Sequence, residues 1–415
     1  MSNSKRIRQL QTLRLQNGAA LLVLVTGLLA MTGYTLLQLT HANQQRFAHQ
    51  QEITRSLAAA KNALIAYAVT YVDHYGHNTR GGVGRLPCPS GSRYGSPVGT
   101  CGPDAIGYLP GVWKRGKKQI DIDHLERFLD RDLWYSVSAD YRFNPAFNPL
   151  NSNQSDYLLT VDGDDQVVAV IIAPGPPLPG QSRVGGAGAI SDYLEGENAD
   201  GDSVFRTAGN DRLVTITRSE LMPLIERRVL GFARDWLAEY RLQYGYYPFA
   251  AAFGDPDGAC QNGLTRGRLP MRAGDCTEVP LGDLRSQFVP KGRTVSETWF
   301  GNYHWSDFIY YQSDPGCLPG AMDQQCTIAD NLVLKVNDRG AQVLLIGAGS
   351  AIATELLPMG QQRLRGNDEP GNEQMMHYFD TVSLLSSENV FDLRYMDSAV
   401  LSGSQSNDHY QVIRP

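Results

Sequence analysis

Several motifs that mark catalytic or cofactor sites are missing from this chain of 415 residues. It contains no GxSxG nucleophile elbow, no HExxH zinc helix and no phosphate-binding P-loop. Its eight histidines are scattered, and its six cysteines form no CxxC, so no zinc site is indicated. These absences favour a binding or structural protein over an enzyme, and we predict no catalytic residues.

Charge is also sparse. Charged side chains make up 19% of the sequence, against about 25% in an average soluble domain, and the formal net charge is −6. No acid precedes Gly18, whereas four bases do: Lys5, Arg6, Arg8 and Arg14. The rest of the chain then holds 33 basic against 43 acidic side chains, which gives no electrostatic reason to bind nucleic acid. With 42% hydrophobic residues, the chain can fold into two ordinary domains.

The longest uncharged run follows this basic stretch. The 21 residues from Ala19 to Leu39 carry no charge, and a helix of that length spans roughly 30 Å, the thickness of a bilayer core. A secretory signal peptide has a shorter apolar region of about 7 to 15 residues and a small-residue cleavage site. We therefore predict a transmembrane or assembly helix at 19–40, with a cytoplasmic N-terminus and the body outside the cytoplasm.

The cysteines agree with an exported body, because disulfides persist in oxidising compartments. They fall into three near-neighbour pairs along the chain. Spacing alone leaves 15 pairings open, and buried free thiols remain an alternative. The candidate disulfide residues are Cys88 and Cys101, Cys260 and Cys276, and Cys317 and Cys326.

The second half of the sequence echoes the first. A helix-like segment at 59–76 has a counterpart at 232–248, with apolar residues at steps of three and four. The clearest match is DYLLTVDGDDQVVAVIIAPG (156–175) against DNLVLKVNDRGAQVLLIGAG (330–349). In each of these segments two β-branched or leucine-rich runs flank a turn, which is a hairpin signal.

Other parts of the repeat follow the same order. Each helix leads into a loop rich in glycine and proline with a cysteine pair, and then into a short aromatic strand at 132–142 or 307–314. We predict an α+β fold with an internal duplication, in which each copy packs a helix on a small antiparallel sheet. The predicted organisation is a basic leader at 1–18, the helix at 19–40, and domains at 41–222 and 223–415.

The leader and the run AALLVLVTGLLAMTGYTLL resemble those of type IV pilins and type II secretion pseudopilins. The segments KNALIAYA, GRLPCP, YLPG, LWYSV and AVIIAPG with GQSR are similar to pilin-like proteins of Gram-negative bacteria. The resemblance covers most of the first repeat and implies two tandem pilin-like domains. It also implies that a prepilin peptidase cuts after Gly18 and that the new N-terminus, Ala19, is methylated.

One position departs from the pattern of that family. Subunits of a fibre shaft carry glutamate at the fifth mature position, where it is thought to pair with the N-terminal amine of a neighbour; here the residue is Val23. An unpaired amine is costly in an apolar bundle. Because minor subunits such as the K-type pseudopilin also lack this glutamate, Val23 favours a place at the fibre tip. The implied partners are other pilin or pseudopilin subunits and the inner membrane.

Three further motifs each allow two interpretations. The segment ENADGDS alternates Asn198, Asp200 and Asp202, like the start of a calcium loop, but lacks the closing glutamate, so calcium is a candidate cofactor rather than an established one. The run VLLIGAGSAIATELL (343–357) imitates a dinucleotide fingerprint, yet Ile352 replaces its third small residue. The aromatic runs YGYYPF and WFGNYHW suit either core packing or a binding surface.

The sequence therefore predicts a minor or tip subunit of a type IV pilus or type II secretion pseudopilus, acting in assembly, priming or surface presentation. It would sit in the inner membrane with a periplasmic body, or be displayed outside the cell at a fibre tip. The alternative is a stationary, membrane-anchored periplasmic protein that binds a ligand. An enzyme is the third choice.

Overall fold

The structure is a computed structural model. It describes residues 3–75, 81–92, 95, 101–102, 106–111, 113–115, 118–120, 133–142, 150, 158–183, 189–255, 257–321, 323–349, 389–391, 393 and 408–415. For residues 3–23, 35–36, 38–43, 74–75, 113–115, 118–120 and 323–324 the description covers the backbone alone. The chain divides into two compact units, Met1–Ser56 and Leu57–Pro415.

The described helices differ greatly in length. The long ones are α1 (Asn3–Tyr75) and α2 (Arg218–Tyr244), and the short ones are α3 (Trp299–Asn302) and α4 (Asp323–Thr327). Single turns of 3-10 helix occur at Ile190–Asp192, Gly196–Ala199, Leu281–Asp283, Val295–Glu297, Trp305–Phe308, Pro315–Cys317 and Ala329–Asn331.

The strands of the first half form a six-stranded sheet and a separate two-stranded pair. They are β1 (Ile106–Tyr108), β2 (Trp113–Arg115), β3 (Lys118–Ile120), β4 (Trp134–Val137), β5 (Leu159–Val161), β6 (Asp164–Ala173), β7 (Val204–Phe205) and β8 (Arg212–Thr217). The large sheet has the order β1-β4-β6-β5-β7, with β8 also paired to β6, and β2 pairs with β3. All pairs are antiparallel except the parallel pair β5 and β7.

The strands of the second half form a four-stranded and a three-stranded sheet. They are β9 (Arg266–Arg268), β10 (Ile309–Ser313), β11 (Lys335–Val336), β12 (Arg339–Gly340), β13 (Val343–Gly347), β14 (Val390–Phe391) and β15 (His409–Ile413). The larger sheet is antiparallel, in the order β15-β13-β10-β9; the smaller has the order β12-β11-β14, with β11 and β14 parallel. The prediction of an α+β fold with antiparallel sheets is confirmed.

Both predicted hairpins are present. The turn between β5 and β6 has positive φ at Asp162 (50°) and Gly163 (91°), and the turn between β11 and β12 has positive φ at Asn337 (53°) and Asp338 (63°). Two successive residues with positive φ are typical of the type I′ turn, whose twist matches that of the flanking strands. Asp, Asn and Gly are the residues that adopt this conformation at least cost, so the turn chemistry explains both hairpins.

Helix α2 starts and stops at clear sequence signals. Thr217 and Glu220 form a capping box, in which each side chain accepts the other residue's backbone N–H. At the other end, Gly245 adopts the left-handed conformation (φ 85°) and its N–H binds the carbonyl of Arg241. The helix contacts β6 and β8 of the first sheet and β13 and β15 of the second. One helix therefore packs on both sheets within the unit Leu57–Pro415.

The aromatic run at 299–305 belongs to the core. Trp299 and Phe300 are fully buried, and Trp299 packs edge-on against Phe232 of α2 at a ring distance of 5.7 Å. Trp236 of α2 makes a further edge contact with Phe300 at 5.0 Å. Such aromatic pairs stabilise a core by more than the burial of their apolar area alone. Of the two interpretations of this run, core packing is the one observed.

Candidate functional site

A solvent-facing apolar segment lies in the first unit, Met1–Ser56. Its backbone is helical, as part of α1, and its large side chains are exposed to an unusual degree: 62% for Leu24, 66% for Leu29 and 73% for Met31. The other exposed members are Val25, Leu28, Tyr34 and Leu37. Scattered exposed leucines are normal, but a contiguous group marks a surface that contacts lipid or another protein. We call Leu24–Leu37 the apolar segment.

The predicted processing and assembly residues lie just before it. Gly18, Ala19 and Val23 belong to the helical backbone of α1, and their side chains lie outside the described residues. Among the described residues, no helix is both long enough and apolar enough to cross a membrane. Cleavage at Gly18 and a role for Val23 stay predictions.

The six cysteines form three disulfides between neighbours in the sequence. The bonds are Cys88–Cys101, Cys260–Cys276 and Cys317–Cys326, with Cα–Cα distances of 5.8, 5.8 and 4.8 Å. No free cysteine remains. The predicted grouping into near-neighbour pairs is confirmed, and the alternative of buried free thiols is excluded.

The predicted calcium residues are engaged with the backbone. Asp200 accepts the N–H of Asp202, and Asp202 accepts the N–H of Val204 at 2.7 Å, which are Asx turns. Asn198 is buried, and its amide exchanges two hydrogen bonds with the backbone of Arg206, at 2.8 and 3.1 Å. Among the described residues no group of three or more His, Cys, Asp or Glu is placed to hold a metal ion. Calcium binding here stays a prediction.

Asp211 is the centre of this loop cluster and was not predicted from the sequence. Its carboxylate is buried and accepts the N–H groups of Gly175 and Glu195, each at 3.1 Å. Burial raises the pKa of Asp211, and the hydrogen bonds from Gly175, Glu195 and Asn198 act against that rise. The side chain ties the end of β6 to the loops before β8, which is a structural role.

A second unpredicted cluster joins α2 to the edge strand β15. His409 is 6% exposed, and its Nε2 lies 3.4 Å from Oε2 of the buried Glu226. Arg227 donates from Nε to Nδ1 of the same histidine at 3.3 Å. Because 182 residues separate Arg227 from His409, no local sequence signal could have found this cluster. It borders a cavity of about 440 Å³ lined by residues of α2, β15 and the β11–β12 turn.

Comparisons with family models, with curated proteins and with solved structures gave no match.

Proposed function

We propose that this protein is a minor or tip subunit of a type IV pilus or type II secretion pseudopilus, acting in fibre assembly, priming or surface presentation. The observation that carries the proposal is the apolar segment Leu24–Leu37, which belongs to the same helix as the buried residues Leu57 and Leu64 of the body. A helix with exposed apolar side chains is stable only against lipid or other helices. Packing among the helices of a filament would supply those contacts.

One polar side chain of the apolar segment, that of Thr32, is compatible with an apolar environment. The Thr32 hydroxyl donates to the carbonyls of Leu28 and Leu29, each at 3.0 Å, so its hydrogen-bonding capacity is met within the helix. A hydroxyl satisfied in this way can enter lipid or a helix bundle without an unpaired donor. We propose that Ala19–Leu39 is held in the inner membrane before assembly, with the body in the periplasm.

An internal duplication of the body is part of the proposal, and the registers of the sheets support it. Trp134 pairs with Ile172 in the first sheet, and Ile309 with Gly347 in the second, a shift of 175 residues on both strands, one more than the offset of 174 between the segments 156–175 and 330–349. The parallel pair β5–β7 ends at Phe205, just as β11–β14 ends at Phe391.

The side chains that hydrogen-bond from the β5–β6 turn and from the β11–β12 turn also correspond. Asp162 accepts the backbone N–H of Thr207, and Asn337 accepts that of Leu393 at 2.7 Å. In each half the donor lies two residues after the phenylalanine that ends the parallel pair. Two unrelated sheets are not expected to share this contact. We therefore infer two copies of one α+β unit, with domains near 41–222 and 223–415.

The residue at the fifth mature position supports a particular place in the fibre. A shaft subunit needs a buried acid to neutralise the N-terminal amine of its neighbour, and Val23 cannot provide one. A subunit at the tip has no neighbour above it and needs no such pair. Val23 therefore supports a tip or priming position over repeated incorporation along a shaft.

The alternative function is a stationary periplasmic binding protein anchored by the same helix. The cavity beside His409 is the observation in its favour, because ligand sites are concave and hold a few convergent polar groups. The two functions predict different N-termini, since an anchor that is never assembled has no need of prepilin processing.

The decisive experiment is the N-terminal mass of the protein purified from its native envelope. We expect a chain that begins at Ala19 and carries an N-methyl group, and a strain without prepilin peptidase should yield the full leader. An intact Met1 leader in both strains would contradict assembly and support the stationary anchor.

A further inference from the structure

The cavity beside β15 has a mostly polar lining that includes two arginines. Its described lining includes the guanidinium groups of Arg227 and Arg414, the imidazole of His409, and the amides of Asn337 and Gln411. None of the described lining residues is an acid. The volume of about 440 Å³ falls within the range of small-molecule sites, roughly 300 to 1,000 Å³. Such a lining has the chemistry of a site for an anion.

Two contacts behind the cavity hold Arg227 in place. Its Nε donates to Nδ1 of His409 at 3.3 Å, and Nε2 of the same imidazole lies 3.4 Å from the buried carboxylate of Glu226. The cavity lining also holds a second guanidinium group, that of Arg414.

Arg227 is exposed and uses only part of its hydrogen-bonding capacity within the described residues. Its Nε is held by His409, and its two terminal nitrogens have no hydrogen-bond partner among the described residues. Arg414 is anchored from the other side, donating to the carbonyls of Gly340 at 3.0 Å and Val336 at 3.2 Å. A guanidinium group held at one edge can bind a planar oxyanion through its remaining donors with little loss of side-chain entropy.

We propose that this cavity is a binding site for the oxyanion of a small ligand, a carboxylate or a phosphate, with Arg227 as its principal contact. Arg227 and Arg414 are exposed side chains, the charge of Arg227 lacks an acidic partner within the described lining, and an anion would supply one. The proposal stands whether or not the chain assembles into a fibre.

At the corresponding position of the first sheet, the described residues include no counterpart of His409. In the second sheet, Gly347 pairs with His409. In the first sheet, the residue at the corresponding register position is Ile172, and it pairs with Leu213. Leucine cannot orient an arginine through a hydrogen bond. On the proposed duplication, the described part of the first copy does not repeat the His409 contact, and we expect one anion per chain.

The test is calorimetric titration of the full chain, kept in an uncharged detergent because of its apolar segment. Inorganic phosphate and glutarate are titrated separately, against sodium chloride of equal ionic strength. We expect saturable binding of at least one anion, at one site per chain, with a Kd of about 1 mM or tighter. The stronger of the two identifies the ligand class as phosphate or carboxylate.

Two variants decide where the anion binds. Arg227→Gln should weaken binding at least tenfold, because the charge is lost while the helix is kept. Arg212→Gln, an exposed arginine on β8, removes the same charge away from the cavity and should leave the affinity within twofold. Folding of both variants is checked by thermal unfolding. Equal effects of the two variants, or no saturable binding of either anion by the folded chain, would overturn the proposal.

Discussion

Asp162 illustrates how a single side chain fixes a loop. Its carboxylate accepts the hydroxyl of Thr207 and also the Thr207 backbone N–H, at 3.2 Å. These hydrogen bonds, the hydroxyl first, lower the pKa of Asp162 below its usual range. A lowered carboxyl pKa stabilises the folded state above the unfolded pKa of about 4, and this stabilisation is lost as the pH falls through the folded pKa.

We predict that Thr207→Val raises the pKa of Asp162 toward its ordinary value, because the hydroxyl donor is removed while the backbone is kept. An NMR titration of the Asp162 carboxyl carbon measures the shift, and the free energy of unfolding should depend less on pH in the acid range. Thr215→Val on β8 is the matched control and should leave this pKa unchanged. An unaltered pKa in Thr207→Val would contradict the assignment.

At the scale of elements, the type I′ turns set the registers of both sheets. Gly163 has φ of 91° and no atom within 4 Å of a Cβ built on it, so only backbone strain opposes a side chain there. We predict that Gly163→Ala lowers the free energy of unfolding by about 1 to 2 kcal/mol. Gly91, exposed and equally open, is the control: Gly91→Ala should be neutral or slightly stabilising. Urea denaturation measures both, and equal effects would argue against strain at the turn.

These elements also show how far the sequence predicts the structure. The strands and hairpins were predictable because β-branched runs, Asp-Gly and Asn-Asp act over a few residues. The helix at 232–248 was predicted in part: α2 begins at Arg218, and the capping box of Thr217 and Glu220 was the signal that could have extended it.

Other features could not be predicted, for a physical reason. Asn198 alternates with acids as in a calcium loop, but the same alternation also serves the Asx turns observed here, and the burial of Asn198 has no local sequence signal. Arg227 meets His409 through the packing of α2 on β15, which depends on the register of the whole sheet. Contacts of this kind arise from long-range assembly and leave no local pattern.

At the scale of the body, α2 couples the two sheets, because it contacts strands of both. We predict that Leu237→Ala, at a fully buried position of α2, lowers the free energy of unfolding by about 2 to 5 kcal/mol. Amide hydrogen exchange should then show equal losses of protection in β6 and β13.

The same helix provides a control for this prediction. Leu242 is 89% exposed, and Leu242→Ala should change the free energy of unfolding by less than about 0.5 kcal/mol. If Leu237→Ala lowered protection in β13 while β6 kept its full value, the two sheets would be independent folding units and the coupling through α2 would be wrong.

The pattern of the disulfides has a consequence for how the chain is made. Each bridge joins a cysteine to the next one along the sequence, across separations of 13, 16 and 9 residues. If the body is translocated N-terminus first, each cysteine meets its native partner before a later competitor emerges. A simple thiol oxidant can then give the correct pairing in order of synthesis, without a step that reshuffles mispaired bonds.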